Sequence, residues 1–203
     1  MDSLRDVTED DLLVVERMPA CSVGRIRRFC LLQVRPRHAP SAVTKNVDLY
    51  WEQFLSSLPS NAQPPAGYLG SDSFGFTEDD ARDIAALVLS GAKTATGSLL
   101  WAYEADGKEV PRAGDYWIVT KGPDDPACVV QTTELRVIPF DQVTADYARD
   151  GGEGDLSLEW WRAMYWRYVA SECRRIGRAP SEQAPLVMER FQVVYAEPLR
   201  SVH

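Results

Sequence analysis

The sequence predicts an α+β domain: a mixed or antiparallel sheet with flanking helices. Three observations carry this. The periodic segments run helix, helix, several strands, helix, strand, without the strand–helix–strand alternation that builds a doubly wound parallel sheet. The chain has 203 residues, room for one domain with some extra sequence or at most two small ones. Its apolar fraction is 45%, enough for a real core and against wholesale disorder.

Residues 1–46 read differently from the rest. An acidic start, MDSLRDVTEDD, gives way to a basic stretch, RIRRF at 25–29, and then to RPRHAPSA at 35–42. The segment reads as a poorly ordered extension or as sequence upstream of the functional start, and its basic stretch is a candidate nucleic-acid arm. From Val47 to about residue 198 the pattern is that of a folded domain. Val47, Tyr50, Trp51, Phe54, Leu55 and Leu58 fall at helical spacing, and Pro59 stops that helix. A Pro/Gly/Ser-rich connection runs to about Gly75. Thr77 caps a second helix whose first turn carries Glu78, Asp79 and Asp80, where negative charge suits the helix dipole. Ala81, Ile84, Ala85, Leu87 and Val88 form its apolar face, and Gly91 suits the left-handed position past its end. Strand-like runs follow at 98–103 (SLLWAY), 115–120 (DYWIVT) and 128–137 (CVVQTTELRV), separated by the turn signals EADGKE and KGPDDP. A third helix starts near Ser157 and ends at Gly177, with Leu158, Trp161, Tyr165, Tyr168 and Ile176 on one side. VMERFQVVY (187–195) reads as a closing strand.

Composition narrows the function classes. The net charge is −8; outside residues 1–46 the chain holds 14 basic against 24 acidic residues. Tight non-specific binding of long nucleic acid draws on many phosphate contacts, for which this body is poorly charged, so DNA is not expected as a partner. No apolar run reaches the length of a membrane span, and the acidic start shows no signal-peptide pattern. Cys21, Cys30, Cys128 and Cys173 form no CxxC pair and no zinc-type spacing, so reduced thiols in a cytoplasmic protein are the plain reading. The two histidines, His38 and His203, fall in the atypical extension and at the last residue, which argues against a Ser-His-Asp triad or a Cys-His pair. Neither phosphate-binding glycine motif is present, and DGGEGD (150–155) lacks the EF-hand spacing. No metal or cofactor is expected. Any catalyst here relies on Lys, Arg, Asp, Glu, Tyr, Ser or Thr.

Such groups concentrate in GAKTATGSLLWAYE (91–104), which brings together Lys93, Thr94, Thr96, Ser98, Trp101, Tyr103 and Glu104. A lysine near a hydroxyl can serve as its general base if burial favours the neutral amine. The spacing leaves the geometry open. Lys93 and Thr96 share a face in a helical turn and point to opposite faces in a strand. The plainer alternative is a lysine at a helix end and threonines entering a strand.

The combination of G-x-K-T-A-T-G-S, the downstream W-x-Y, P-x-x-G-D-Y-W (111–117) and the late E-R-F (189–191) resembles the ASCH family from about Val47 to Tyr195. The resemblance implies a PUA-like β-barrel with a cleft beside the G-x-K-T segment, and a role in RNA metabolism with RNA or a nucleoside as partner. Some members are ribonucleases. Small single-domain members are amidohydrolases that remove the acyl group from N4-acetylcytidine, using a Lys-x-x-Thr pair and a glutamate just ahead of the late helix. Lys93 and Thr96 match that pair, Glu153 is the best counterpart of the glutamate, and Asp155 is its rival. In that mechanism Thr96 attacks the acyl carbon, Lys93 accepts its proton, and Glu153 serves the exocyclic amine, while Trp101 or Tyr103 stacks on the base. A ribonuclease would draw on Tyr103, Lys93, Ser98 and Arg190. This chain is larger than those amidohydrolases and has an added N-terminal helix. A non-catalytic module that binds RNA or a modified base is the alternative reading.

The remaining candidates have plain readings beside the functional ones. Trp160, Trp161 and Trp166, at helical spacing, are expected in the core. Asp115 is either a turn residue or a group on the cleft rim. Arg190 either faces outward from its strand or enters the cleft and pairs with Glu104 or Glu153. Alternation turns Glu134 to solvent and leaves it out of the site.

Overall fold

The computed structural model describes residues 45–197 apart from 63, 64, 66 and 76. The expectations placed on residues 1–44 and on His203 lie outside the described residues.

Five helices and five strands follow in chain order: α1 (Lys45–Ser57), β1 (Tyr68–Ser73), α2 (Glu78–Leu89), β2 (Ala95–Leu99), α3 (Leu100–Ala105), β3 (Tyr116–Thr120), β4 (Pro126–Pro139), α4 (Ala145–Asp150), α5 (Leu158–Arg175) and β5 (Pro185–Tyr195), with a 3-10 turn at Phe140–Gln142. The strands form one sheet in the order β1-β3-β4-β5-β2. Only β1 and β3 run parallel; the other pairs are antiparallel. The result is an α+β half-barrel with flanking helices.

The local chemistry explains most boundaries. Thr77 and Asp80 form a capping box at the start of α2: Asp80 N–H donates to Thr77 Oγ1 and Thr77 N–H donates to the Asp80 carboxylate. Gly91, at φ +74°, takes the left-handed position past the end of α2. Ser157 caps α5 by accepting from Trp160 N–H. Each face of the sheet is covered. Val47, Tyr50 and Phe54 of α1 pack against Ile118 and Val129 on one side. The larger core on the other side joins Ile84, Ala85 and Val88 of α2 and Trp161, Tyr165, Tyr168 and Val169 of α5 to Trp117, Val119, Val130 and Met188. Trp161 lies in this core, and Trp160 and Trp166 pack against it.

Two sequence expectations need correction, and one helix lies where the sequence pattern assigned no element. SLLWAY is not one strand: β2 ends at Leu99 and the chain turns at once into α3, so Trp101 and Tyr103 stand on a helix. An apolar run this short has no period that separates strand from helix. The Pro/Gly/Ser-rich connection contains β1, which is held by parallel pairing with β3 and breaks register between Tyr68 and Ser71, beside Gly70 at φ +90°. The stretch before the late helix contains α4, a single short helix. Cys128 and Cys173 are buried free thiols. Among the described residues no helix is long and apolar enough to cross a membrane.

Candidate functional site

The site starts at the turn between α2 and β2. Lys93 follows Gly91, and its N–H returns to the Leu87 carbonyl at 3.0 Å, which ends the helix and aims the side chain inward. Lys93 is 1% exposed. Its Nζ donates to Glu153 Oε1 at 2.7 Å, to the Ala95 carbonyl at 3.1 Å and to the Gly151 carbonyl at 3.2 Å. Three acceptors match the three N–H donors of an ammonium. Nζ also lies 5.0 Å from the centre of the Phe74 ring, a favourable place for a desolvated cation.

The loop 150–155 straps over this lysine. Thr94 N–H donates to the Asp150 carbonyl at 2.8 Å, and Gly151 and Glu153 supply the acceptors named above. Gly152, at φ +72°, passes so close that a Cβ there would sit on the Ala92 carbonyl and 2.8 Å from Lys93 Cα. Gly154 lies under the Trp160 ring with no room for a side chain. Glu153 is therefore the acid that reaches Lys93. Asp155 turns away and accepts from Ser157 N–H at 2.9 Å, and the Ser157 contacts hold its carboxyl below the usual range.

Thr96 lies on β2 in register with Glu189 of β5. It is 6% exposed, and its Oγ1 is buried without a hydrogen bond of good geometry. Direct partners on antiparallel strands carry their side chains on one face, so Thr96 and Glu189 face the same interior. Glu189 Oε1 accepts from Thr132 Oγ1 at 2.5 Å and from Trp117 Nε1 at 3.1 Å. The rings of Phe74, Trp117 and Phe191 pack together beside it. Tyr165 reaches the same place from α5: its hydroxyl accepts from Gly97 N–H at 3.1 Å. Burial pushes that phenol well above its ordinary value, and the nearby Glu153 charge pushes it the same way.

The other candidates stand elsewhere. Arg190 is paired with Asp150 at 2.6 Å and with Glu134 at 3.6 Å, and its guanidinium lies 4.5 Å from the centre of the Tyr147 ring. Its partners are thus neither Glu104 nor Glu153, and Glu134, expected to face solvent, is one of them. A bulge between Thr132 and Glu134 shifts the register and brings Glu134 opposite Arg190. Ser98 and Tyr103 line a narrow recess with Asp106, Lys108, Tyr168 and Arg175. Trp101 carries the Arg178 guanidinium 4.9 Å from its ring centre. Asp115 accepts from Arg112 N–H at 2.8 Å and closes a turn against Gly67. Among the described residues no group of His, Cys, Asp and Glu side chains is placed to hold a metal ion.

Two residues of the cluster were not singled out by sequence reasoning. Tyr165 was assigned only to a core face, and Glu189 only to the E-R-F motif. Signals existed for both: a glycine inside a strand, Gly97, marks a close approach, and a carboxylate interrupts the apolar run of β5.

Comparison with known proteins places this architecture. The ASCH domain profile matches residues 71–195. The crystal structure of an ASCH domain from Lactobacillus crispatus is 33% identical, with a TM-score of 0.70 over 74% of this chain and 95% of that one. A crystal structure of a protein from Enterococcus faecalis is 27% identical, with a TM-score of 0.64 over 75% of this chain and 90% of that one. A search of curated proteins finds no significant match. The match to the profile covers more than half of the sequence and falls on the sheet and helices that build the Lys93–Glu153 cluster: the chain belongs to the ASCH domain family.

Proposed function

We propose that the chain is an amidohydrolase that removes the acyl group from an N4-acylated cytidine-type nucleoside, with Lys93, Thr96 and Glu153 as the reacting groups. The observation that carries this reading is the buried Lys93–Glu153 pair at 2.7 Å, with the buried Thr96 hydroxyl, which makes no well-aligned hydrogen bond, three residues along the chain from the lysine. Burying an ion pair costs desolvation, and such a pair is weak support for stability; a buried hydroxyl without a well-aligned hydrogen bond adds to that cost. Groups kept at such expense are expected where they act.

The resting ammonium cannot accept a proton, so the first step moves one from Lys93 Nζ to Glu153 along their hydrogen bond. The neutral amine then takes the Thr96 proton as Thr96 Oγ1 attacks the acyl carbonyl carbon. Glu153, now protonated, gives its proton to the exocyclic nitrogen as the C–N bond breaks. The base leaves as a free amine, and Lys93 is again an ammonium beside a carboxylate. In the second half-reaction water attacks the acyl-threonine as Glu153 takes one of its protons; the C–O bond to Thr96 then breaks, Glu153 returns that proton to Thr96 Oγ1, and the acyl group leaves as the free carboxylic acid. Arg190, the cation a ribonuclease reading would assign to phosphate, is already paired with two carboxylates, which weighs toward a small substrate.

The test is turnover of a panel of N4-acylated cytidines by the wild type, Lys93→Ala and Thr96→Val. Release of cytidine by the wild type alone supports the reading. No release at high enzyme concentration rejects it and leaves RNA cleavage or base binding without turnover.

A further inference from the structure

Strand β2 is an edge: it pairs with β5 on one side only. Its outward N–H groups at Gly97 and Leu99 are both satisfied by phenols of α5. Tyr165 Oη accepts from Gly97 at 3.1 Å, and Tyr168 Oη accepts from Leu99 at 3.0 Å. The two tyrosines are twins in this respect, but their surroundings differ. Tyr165 is locked in place. It stacks on Trp161 with ring centres 4.0 Å apart and planes 17° apart, and its opposite edge fits against Gly97, where an added Cβ would lie 3.1 Å from Tyr165 Cε1. A side chain at 97 would also meet Met188 Sδ at 2.9 Å, so both the thioether and the ring would have to give way.

A phenol carries one proton and accepts through its lone pairs. With Gly97 N–H donating to the oxygen, the Tyr165 proton is left to find an acceptor among its buried neighbours. The neighbouring residue on the strand is Thr96, whose Oγ1 is buried without a well-aligned partner and interacts with the Tyr165 hydroxyl. Resting on the reading that Thr96 is the nucleophile, we infer that Tyr165 is a positioning residue that donates its hydroxyl proton to Thr96 Oγ1 as negative charge develops there. A donor aimed at the oxygen stabilises the alkoxide while Lys93 takes the threonine proton. It also stabilises the same oxygen when it leaves from the acyl-threonine. It leaves the threonine proton to point away from Tyr165. Tyr168, two positions along the edge, caps Leu99 beside Ser98, a hydroxyl to which the proposed reaction assigns no part, and serves as the internal control.

Steady-state kinetics of Tyr165→Phe and Tyr168→Phe on an acylated cytidine that the wild type hydrolyses test this. Both variants lose one edge cap, so their melting temperatures fall by similar amounts. Tyr165→Phe lowers kcat about tenfold or more with KM changed less than about twofold, while Tyr168→Phe leaves kcat within about twofold. Equal kcat in the two variants overturns the inference. If the wild type hydrolyses no acylated cytidine, the proposed activity fails by itself, and Tyr165 is judged without turnover. A Thr96→Cys thiol is titrated by thiolate absorbance in the wild-type, Tyr165→Phe and Tyr168→Phe backgrounds, each against the same background with Thr96. Loss of a donor to the thiolate raises the midpoint by about one pH unit in Tyr165→Phe alone. The same midpoint in all three backgrounds overturns the inference.

Discussion

Single residues in this protein answer to backbone space as much as to chemistry. Gly152 and Gly91 both have positive φ, at +72° and +74°. Gly91 opens onto empty space, whereas a Cβ at Gly152 meets the Ala92 carbonyl and Lys93 Cα. Gly91→Ala therefore costs only the left-handed penalty, about 1–2 kcal/mol. Gly152→Ala adds overpacking for a total of about 3 kcal/mol or more, and it lifts the strap that holds Gly151 and Glu153 on Lys93. Urea unfolding of the two variants checks the order, and equal losses would remove the strap argument. Thr96→Val removes the acceptor assigned to the Tyr165 hydroxyl and leaves that buried donor unpaired, so the same urea assay should show a loss of about 1–3 kcal/mol, while cytidine release stops. Lys93 and Thr96 were legible in the sequence because hydroxyl and amine groups crowd a helix end. Glu153 came from the resemblance alone, since nothing in DGGEGD separates it from Asp155 until the loop is folded. Tyr165 and Glu189 depend on partners about 70 to 90 positions away, which no local pattern encodes.

Elements were legible where their pattern was long. The helices α1, α2 and α5 and the strands β3, β4 and β5 follow from periodicity, caps and turn residues. The ones missed are short or are made by pairing: β1 exists through β3, and α3 and α4 are six residues each. Short elements need external ties, and α3 shows one. Its C-cap Asp106 pairs with Arg175 at the end of α5, at 2.8 and 3.3 Å, and Arg175 also holds Glu172 at 2.8 Å. The Arg175 guanidinium, and then Lys108, draw the Asp106 carboxyl below its ordinary value of 3.8. A group whose folded value is depressed contributes stability that is present above the unfolded value and lost as the pH falls through the folded one. Asp106→Asn should therefore lower the unfolding free energy from urea titration at pH 7 by about 1 kcal/mol or less, given the partial exposure of the pair. The gap between variant and wild type should narrow below pH 3.8 and close once Asp106 is protonated in both states. A gap as wide at pH 2.5 as at pH 7 would assign the loss to packing instead of charge, because the unfolded carboxylate is already largely protonated there.

At the scale of the whole molecule, charge separates a nucleoside enzyme from an RNA-binding surface. The net charge is −8, and residues 47–203 alone carry 14 basic against 24 acidic side chains. The basic groups of the folded part are largely committed: Arg82, Lys93, Lys121, Arg136, Arg149, Arg175 and Arg190 all sit in ion pairs with neighbouring acids. Phosphate binding releases counterions, and for a single strand log K falls with log salt at about −0.7 per phosphate neutralised. A surface this acidic neutralises few phosphates. Anisotropy of a labelled single-stranded RNA, titrated between about 50 and 200 mM salt, should therefore give weak binding and a slope no steeper than about −1.5. Competition by an acylated cytidine for its own site should change little over the same range, because the nucleoside carries no phosphate. A slope steeper than about −4 would mean that six or so phosphates are held. Most cations among the described residues are already paired with acids, so such a slope would point to RIRRF at 25–29 and would move the reading from a small-molecule hydrolase to a protein that acts on RNA.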